Sequence, residues 1–365
     1  MIMLGNNSSD VSLKADENRT CILPIDAVPI VISCTTIYSI ILIASLVGNS
    51  LLIFASLKSK TTINLIIANE AVSDFLFSIV YFPREIMVQI KGSTAFVVHG
   101  WIGQVLCKIC AFTVDTTIAV STLSLVLVAA DRLVAVVFST KYIQITITKR
   151  RLLILSIWML AMAIHSPYFY TFRLETINGE TFCSTNWEPA FNHESTHNHY
   201  YTALLFVVLI VPLVTVSILQ TITLLKLRED NMVPFRTSVA NQRHKKKNKN
   251  LLKMSIVIVL AFALCWLPFI AFQFLRLFFP SSVPSCSLGF TIFSKFVMFQ
   301  LSSCHCVVNP CICFTFLSRI RIAIKRAWKS KEYLIFHGNK VMTTGRINHC
   351  SRWNFKLHHR ALIQG

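Results

Sequence analysis

The residues best placed to do chemistry in this 365-residue chain lie inside long apolar runs. Asp74 sits in the middle of one such run. Glu70, one helical turn before it, falls on the same face, because positions i and i+4 align on a helix. Two carboxylates that close in an apolar setting do not both stay charged. Ser121 and Asn309 lie on two other apolar runs and could share a water or a sodium ion with Asp74; a purely structural polar network is the alternative. Asp115 can meet either a cationic ligand group or a neighbouring helix. His193, His197 and His199 cluster closely enough to hold a metal, although a solvated loop is the favoured reading. No Cys/His spacing resembles a structural zinc site, and no HExxH, GxSxG or phosphate-binding loop occurs. The pattern points to binding and switching, not to an enzyme.

The elements that must carry these residues are membrane helices. The chain is 54% hydrophobic and 14% charged, against about 25% charge in an ordinary soluble domain. A bilayer core takes about 20 apolar residues as a helix. Seven stretches qualify, roughly 30–57, 64–90, 104–137, 150–171, 199–227, 250–279 and 287–313. Polar residues in the second, third and seventh place those spans inside a bundle. Residues 314–331 alternate Phe316, Ile320, Ile324 and Trp328 with Arg319, Arg321, Lys325 and Arg326, which predicts an amphipathic helix on the membrane surface. The predicted organisation is therefore an all-α membrane protein. A tail over 1–29 leads into a seven-transmembrane helix bundle over 30–313. The short amphipathic helix follows, and a basic tail occupies 332–365.

Charge orients the bundle. The net charge of +19 suits either nucleic acid or one face of a membrane. With the N-terminus outside, 27 of the 35 Lys and Arg residues fall on the inner side but only four of the 16 acids do. This positive-inside bias makes the basic excess an address relative to the membrane, and removes nucleic acid as a partner. The run Lys245-Lys246-Lys247 with Lys249 suits anionic lipid headgroups. Asn7 and Asn18 lie in glycosylation patterns on the outer tail. Cys107 and Cys183 both face the oxidising side, where a disulfide is allowed, and Cys21 with Cys286 could form a second. Cysteines within the spans read as small packing residues. A transporter would show two similar halves or broken helices, and a channel a polar path; neither is evident.

Ordered motifs sharpen this. Gly48-Asn49 lies in span one and Asn69 to Asp74 in span two. Cys107 opens span three, and Asp131-Arg132-Leu133 closes it. Trp158 and Pro167 mark span four, and Pro212 span five. Phe262, Cys265, Trp266 and Pro268 follow the pattern FxxCWxP in span six, and Asn309-Pro310 ends span seven. Over residues 34–330 the chain resembles rhodopsin-like (class A) G-protein-coupled receptors. The resemblance implies a plasma-membrane protein with an outer ligand, a heterotrimeric G protein and arrestin as partners. It implies that Asp131 holds Arg132 at rest, that Phe262 and Trp266 repack beneath the ligand, and that Pro212 and Pro268 belong to the switch. No cofactor is expected beyond a sodium ion near Asp74.

Several positions depart from the family pattern. Gln220 and Cys313 stand where tyrosines usually stabilise the active state. Glu70 replaces a Leu, and His305 replaces an Asn beside the sodium pocket. Those two changes predict altered sodium binding and proton sensitivity, since histidine titrates near neutral pH. Asn248 occupies a place where an acid often pairs with Arg132, so a looser resting state is expected. Val114 stands where amine receptors carry Asp, and Ser303 where opsins carry Lys. The expected ligand-binding set is Arg84, Glu85, Val114, Asp115, Trp187, Gln273 and Arg276, whose mixed charge suits a neuropeptide-like ligand. The alternatives are a small-molecule receptor, for an amine or a lipid, and a weakly coupled receptor-like decoy.

Overall fold

A computed structural model describes residues 28–58, 62–137, 147–232, 239–279, 300–317, 321, 322 and 324. The chain divides into two units, Met1–Arg321 and Ile322–Gly365, and nearly all described residues belong to the first. Asn7, Asn18, Cys21, Cys286 and the start of the seventh stretch lie outside the described residues, as does most of the expected amphipathic helix.

Six helices are long and apolar enough to cross a membrane, and the shorter apolar helix pair Leu301–Phe316 follows them. Span one is Val28–Lys58, span two Thr62–Lys91, span three Gly100–Val137 and span four Ile147–His165. Span five runs from His193 through Met232, and span six is Val239–Phe278. The described part of span seven is Leu301–Ser303 and His305–Phe316, ending where Leu317 leaves the helical region at φ −100°. Span one exposes Ile32, Ile40, Ile43 and Val47. Such a face is stable only where lipid is the solvent. Span three is the opposite case: every residue from Val114 to Thr122 is buried, as expected of the helix at the centre of a bundle.

Two departures from the expected elements matter. Span four stops at His165 rather than continuing to 171. A single turn, Tyr168–Thr171, follows Pro167 and leads into a β-hairpin that apolar periodicity alone does not predict. Strand β1 (Phe172–Ile177) pairs antiparallel with β2 (Glu180–Thr185), with Leu174 opposite Cys183. Its Asn178-Gly179 turn has φ of 52° and 83°, the mirror-image geometry that such pairs favour in two-residue hairpins. Span five begins six residues earlier than expected, capped by Asn192, and carries a π-helical segment over Leu205–Ile210 just before Pro212. Pro212 has no N–H to donate, so a widened turn there is physically natural.

Polar side chains tie the spans together. Asn49 donates to the Cys306 carbonyl at 2.9 Å, joining spans one and seven. Trp158 donates to Asn69 Oδ1 at 2.8 Å, and Asn69 donates to Ser124 at 2.8 Å, joining spans four, two and three. Without water in the bilayer core, such buried groups need protein partners.

Candidate functional site: a polar column between two mouths

At the centre of the bundle, spans two, three and seven converge on Asp74. Asn309 Nδ2 donates to Asp74 Oδ2 at 3.0 Å, and Ser121 Oγ donates to Oδ1 at 3.5 Å. His305 Nε2 lies 3.8 Å from the same Oδ1. The His305 Nδ1 stands 2.6 Å from the Ser302 carbonyl. A carbonyl only accepts, so Nδ1 carries the hydrogen. In a neutral ring Nε2 is then left as an acceptor, 3.8 Å from a carboxylate oxygen. Glu70 is buried one turn away, and its Oε1 has no hydrogen-bond partner among the described residues. The expected grouping of Asp74, Ser121, His305 and Asn309 is thus brought together, with Glu70 beside it.

A sodium ion fits this chamber poorly. Hard cations take oxygen ligands. Here Asn309 turns its amide N–H toward Asp74, and His305 contributes nitrogen. Among the described hydrogen-bond partners of the Asp74 carboxylate, only Ser121 offers an oxygen.

His305 also touches the aromatic switch. Its ring centroid lies 5.4 Å from Trp266, 5.8 Å from Phe262 and 5.2 Å from Phe77. Trp266 is fully buried and stacks on Phe262 at 5.7 Å. Pro268, two residues beyond Trp266, sits within the span-six helix, where it deletes one backbone donor. A single imidazole therefore joins the carboxylate chamber to the rings of span six.

At the inner end, Arg132 is paired with Asp131 as expected from the resemblance. The structure adds a partner that reading the sequence misses: Arg150 of span four also forms an ion pair with Asp131. In the sequence Arg150 is one of a cluster of basic residues at an inner helix end, which looks like topology and nothing more. The two tyrosine replacements are also placed. Gln220 is buried and donates to Ser255, linking spans five and six, while Cys313 is buried in span seven.

The outer end places the expected ligand-binding residues. Asp115 is 2% exposed and accepts a 2.6 Å hydrogen bond from Tyr168. Tyr168 was not anticipated; its ring packs on Phe172 at 4.8 Å and on Tyr200 at 6.1 Å. Thr185 meets His197 at 3.3 Å. Val114 is buried among neighbours, and Trp187 is buried against Tyr200 at 5.1 Å and Phe191 at 6.2 Å. Arg84 and Glu85 pair with each other at 2.7 Å. Gln273 is buried and Arg276 half-buried. The histidines lie on the first turns of span five, not in a solvated loop, with His197 buried. No group of three metal ligands exists among the described residues.

The hairpin is held over this mouth. Cys107 and Cys183 form the disulfide that their shared face allows. Gln104 clasps β1 from both sides, donating to the Phe172 carbonyl at 3.0 Å and accepting from the Leu174 N–H at 2.9 Å.

The six long spans, the shorter seventh helix and the polar column agree with the sequence comparison, in which residues 48–312 match the 7 transmembrane receptor (rhodopsin family). The chain belongs to that family of multi-pass membrane proteins. Among curated relatives, it is 28% identical over 245 residues to a QRFP-like peptide receptor of Branchiostoma floridae, covering 64% of this chain and 61% of that one. It is 27% identical to neuropeptide Y receptor type 4-2 of Homo sapiens (79% of this chain, 76% of that one). It is 29% identical to prokineticin receptor 2 of Rattus norvegicus (84% and 78%). The match to the Branchiostoma receptor thus spans about three fifths of that protein's length.

Proposed function

We propose that this chain is a plasma-membrane receptor for an extracellular, neuropeptide-like peptide, and that it drives nucleotide exchange on a heterotrimeric G protein by outward movement of the inner half of span six. The observation that carries this reading is the column itself. A pinned hairpin at the outer mouth, the Trp266–Phe262–His305 block at mid-depth and the Asp131–Arg132 pair at the inner end lie along one bundle. A ligand shifts such a bundle only by binding one arrangement better than the other. Arg84, Glu85, Gln273 and Arg276 offer a mouth of both signs, suited to a peptide whose contacts are dispersed. Relatives named for peptide ligands support the same class. Arrestin and inner-leaflet lipids are the further partners.

The Asp74 chamber, on this reading, holds a proton shared with His305 in place of a sodium ion. The test is a peptide-library screen on cells expressing the full chain, read by nucleotide exchange on several G-protein classes. A peptide that raises exchange in cells expressing the chain and not in control cells is expected. Activation by amines or lipids alone would overturn the peptide reading. Tight peptide binding without exchange would favour a decoy, for which the Gln220–Ser255 link between spans five and six is the structural motive.

A further inference from the structure

Asp131 at the inner end of span three is held by two guanidinium groups. Arg132 is its chain neighbour; Arg150 reaches it from span four. The placement of Arg150 is unusual for an inner helix end. Lys149 and Arg151 on either side are exposed, as basic residues at a membrane surface should be, while Arg150 is 2% exposed. A cation is buried this deeply only against a partner, and its partner is Asp131.

The cluster is also short of acceptors. Arg150 Nε and Nη1 and Arg132 Nε have no hydrogen-bond partner among the described residues. Among the described residues two cations share one carboxylate, so the group carries a net positive charge and each guanidinium is only partly satisfied. Such an arrangement can lose one arginine at little cost. In a simple Asp–Arg pair, withdrawal of the arginine strands a buried carboxylate, which is heavily penalised. Here Arg150 stays behind, keeps Asp131 charged and bonded, and is relieved of a like-charged neighbour.

We propose that Arg150 is a positioning residue for activation: it is the standing counter-ion of Asp131, and its presence lets Arg132 leave that carboxylate. The inference rests on the proposed outward movement of span six, for which Arg132 must be set free. It runs opposite to the effect of an additional lock, since removing Arg150 should make Arg132 harder to release.

The full chain, purified into lipid nanodiscs, tests this with spin labels introduced as unnatural amino acids at Val137 and Asn250, both exposed at the inner ends of spans three and six. Distance distributions between them report opening without any ligand or G protein. Arg150→Met should lower the ratio of long to short distances roughly tenfold, the scale of one charge-assisted hydrogen bond. Arg150→Lys, which keeps the cation, should retain most of the long population. Asp131→Asn should raise the long population, and adding Arg150→Met to it should change nothing further, because Arg150 acts only through Asp131. Thermal unfolding gives a second reading: Asp131→Asn should destabilise the chain by leaving two buried arginines unpaired, and the double variant should recover stability. An unchanged or raised long population in Arg150→Met, or an undiminished effect of Arg150→Met in the Asp131→Asn background, overturns the proposal alone. So does a double variant as unstable as Asp131→Asn. Absence of a long population in Asp131→Asn itself would overturn the movement of span six and the proposal with it.

Discussion

Replacing Tyr168 with phenylalanine removes a single oxygen and is the sharpest test of what Asp115 does. That oxygen donates to Asp115 Oδ2 at 2.6 Å, and both residues are buried. Two scales bear on the cost. Hydrogen bonds between helices in membranes contribute about 0.6 kcal/mol on average, because the separated helices find other partners. Hydrogen bonds to charged groups contribute about 1.5–3 kcal/mol, since an abandoned charge has few substitutes. The bond is buried between span three and the turn after span four, which places it between these scales, so Tyr168→Phe should cost about 1–2 kcal/mol. Reversible unfolding in mixed detergent micelles measures this. The cycle with Asp115→Asn isolates the pair, and a coupling of at least about 1 kcal/mol is expected. A coupling below about 0.5 kcal/mol would refute the reasoning. If Asp115→Asn weakened peptide binding at full stability, Asp115 would be a ligand contact after all.

Other outcomes follow from the same contacts. On the proposed reading a proton shared by His305 and Asp74 ties span seven to span two beside the rings of Trp266 and Phe262. His305→Asn should then flatten any change of basal nucleotide exchange with pH, even though Glu70 and Asp74 remain. Trp158→Phe strips Asn69 Oδ1 of its donor in a buried setting and should lower stability by about 1–2 kcal/mol in thermal unfolding. Gly48→Ala would place a Cβ 3.1 Å from Pro310 Cγ, so spans one and seven must part slightly; a loss of about 1 kcal/mol is expected by the same measurement.

What could be read from the sequence was whatever repeats a local rule. Apolar runs located the helices, since each must span lipid by itself. The grouping around Asp74 was legible because polar residues within apolar runs must face inward, and the Asp131-Arg132 pair was legible through the family motif it resembles. Arg150 was not, because a basic residue between two others at an inner helix end obeys the positive-inside rule wherever its side chain turns. Tyr168 was hidden for a different reason. Pro167 ends span four early and swings the next turn inward, and apolar composition continues across that break. The hairpin carried a usable signal in Asn178-Gly179 between alternating residues, outside every long apolar run. Trp187 and Asp115 were assigned to the ligand mouth by polarity and position, whereas their contacts with Tyr200 and Tyr168 depend on the fold of the turn and hairpin between them.

The clasp between the hairpin and span three has a mechanical consequence. Cys107 and Gln104 fasten β1 and β2 to the outer end of a continuous helix that bears Asp131 and Arg132 near its other end. At 1.5 Å per residue, Cys107 and Asp131 are about 36 Å apart along that rod. A helix twists stiffly about its own axis, so a ligand that drags the hairpin sideways exerts torque as well as thrust. The same angle of turn arrives at the inner face, where Asp131 and Arg132 ride on the one helix and would shift together against Arg150 of span four.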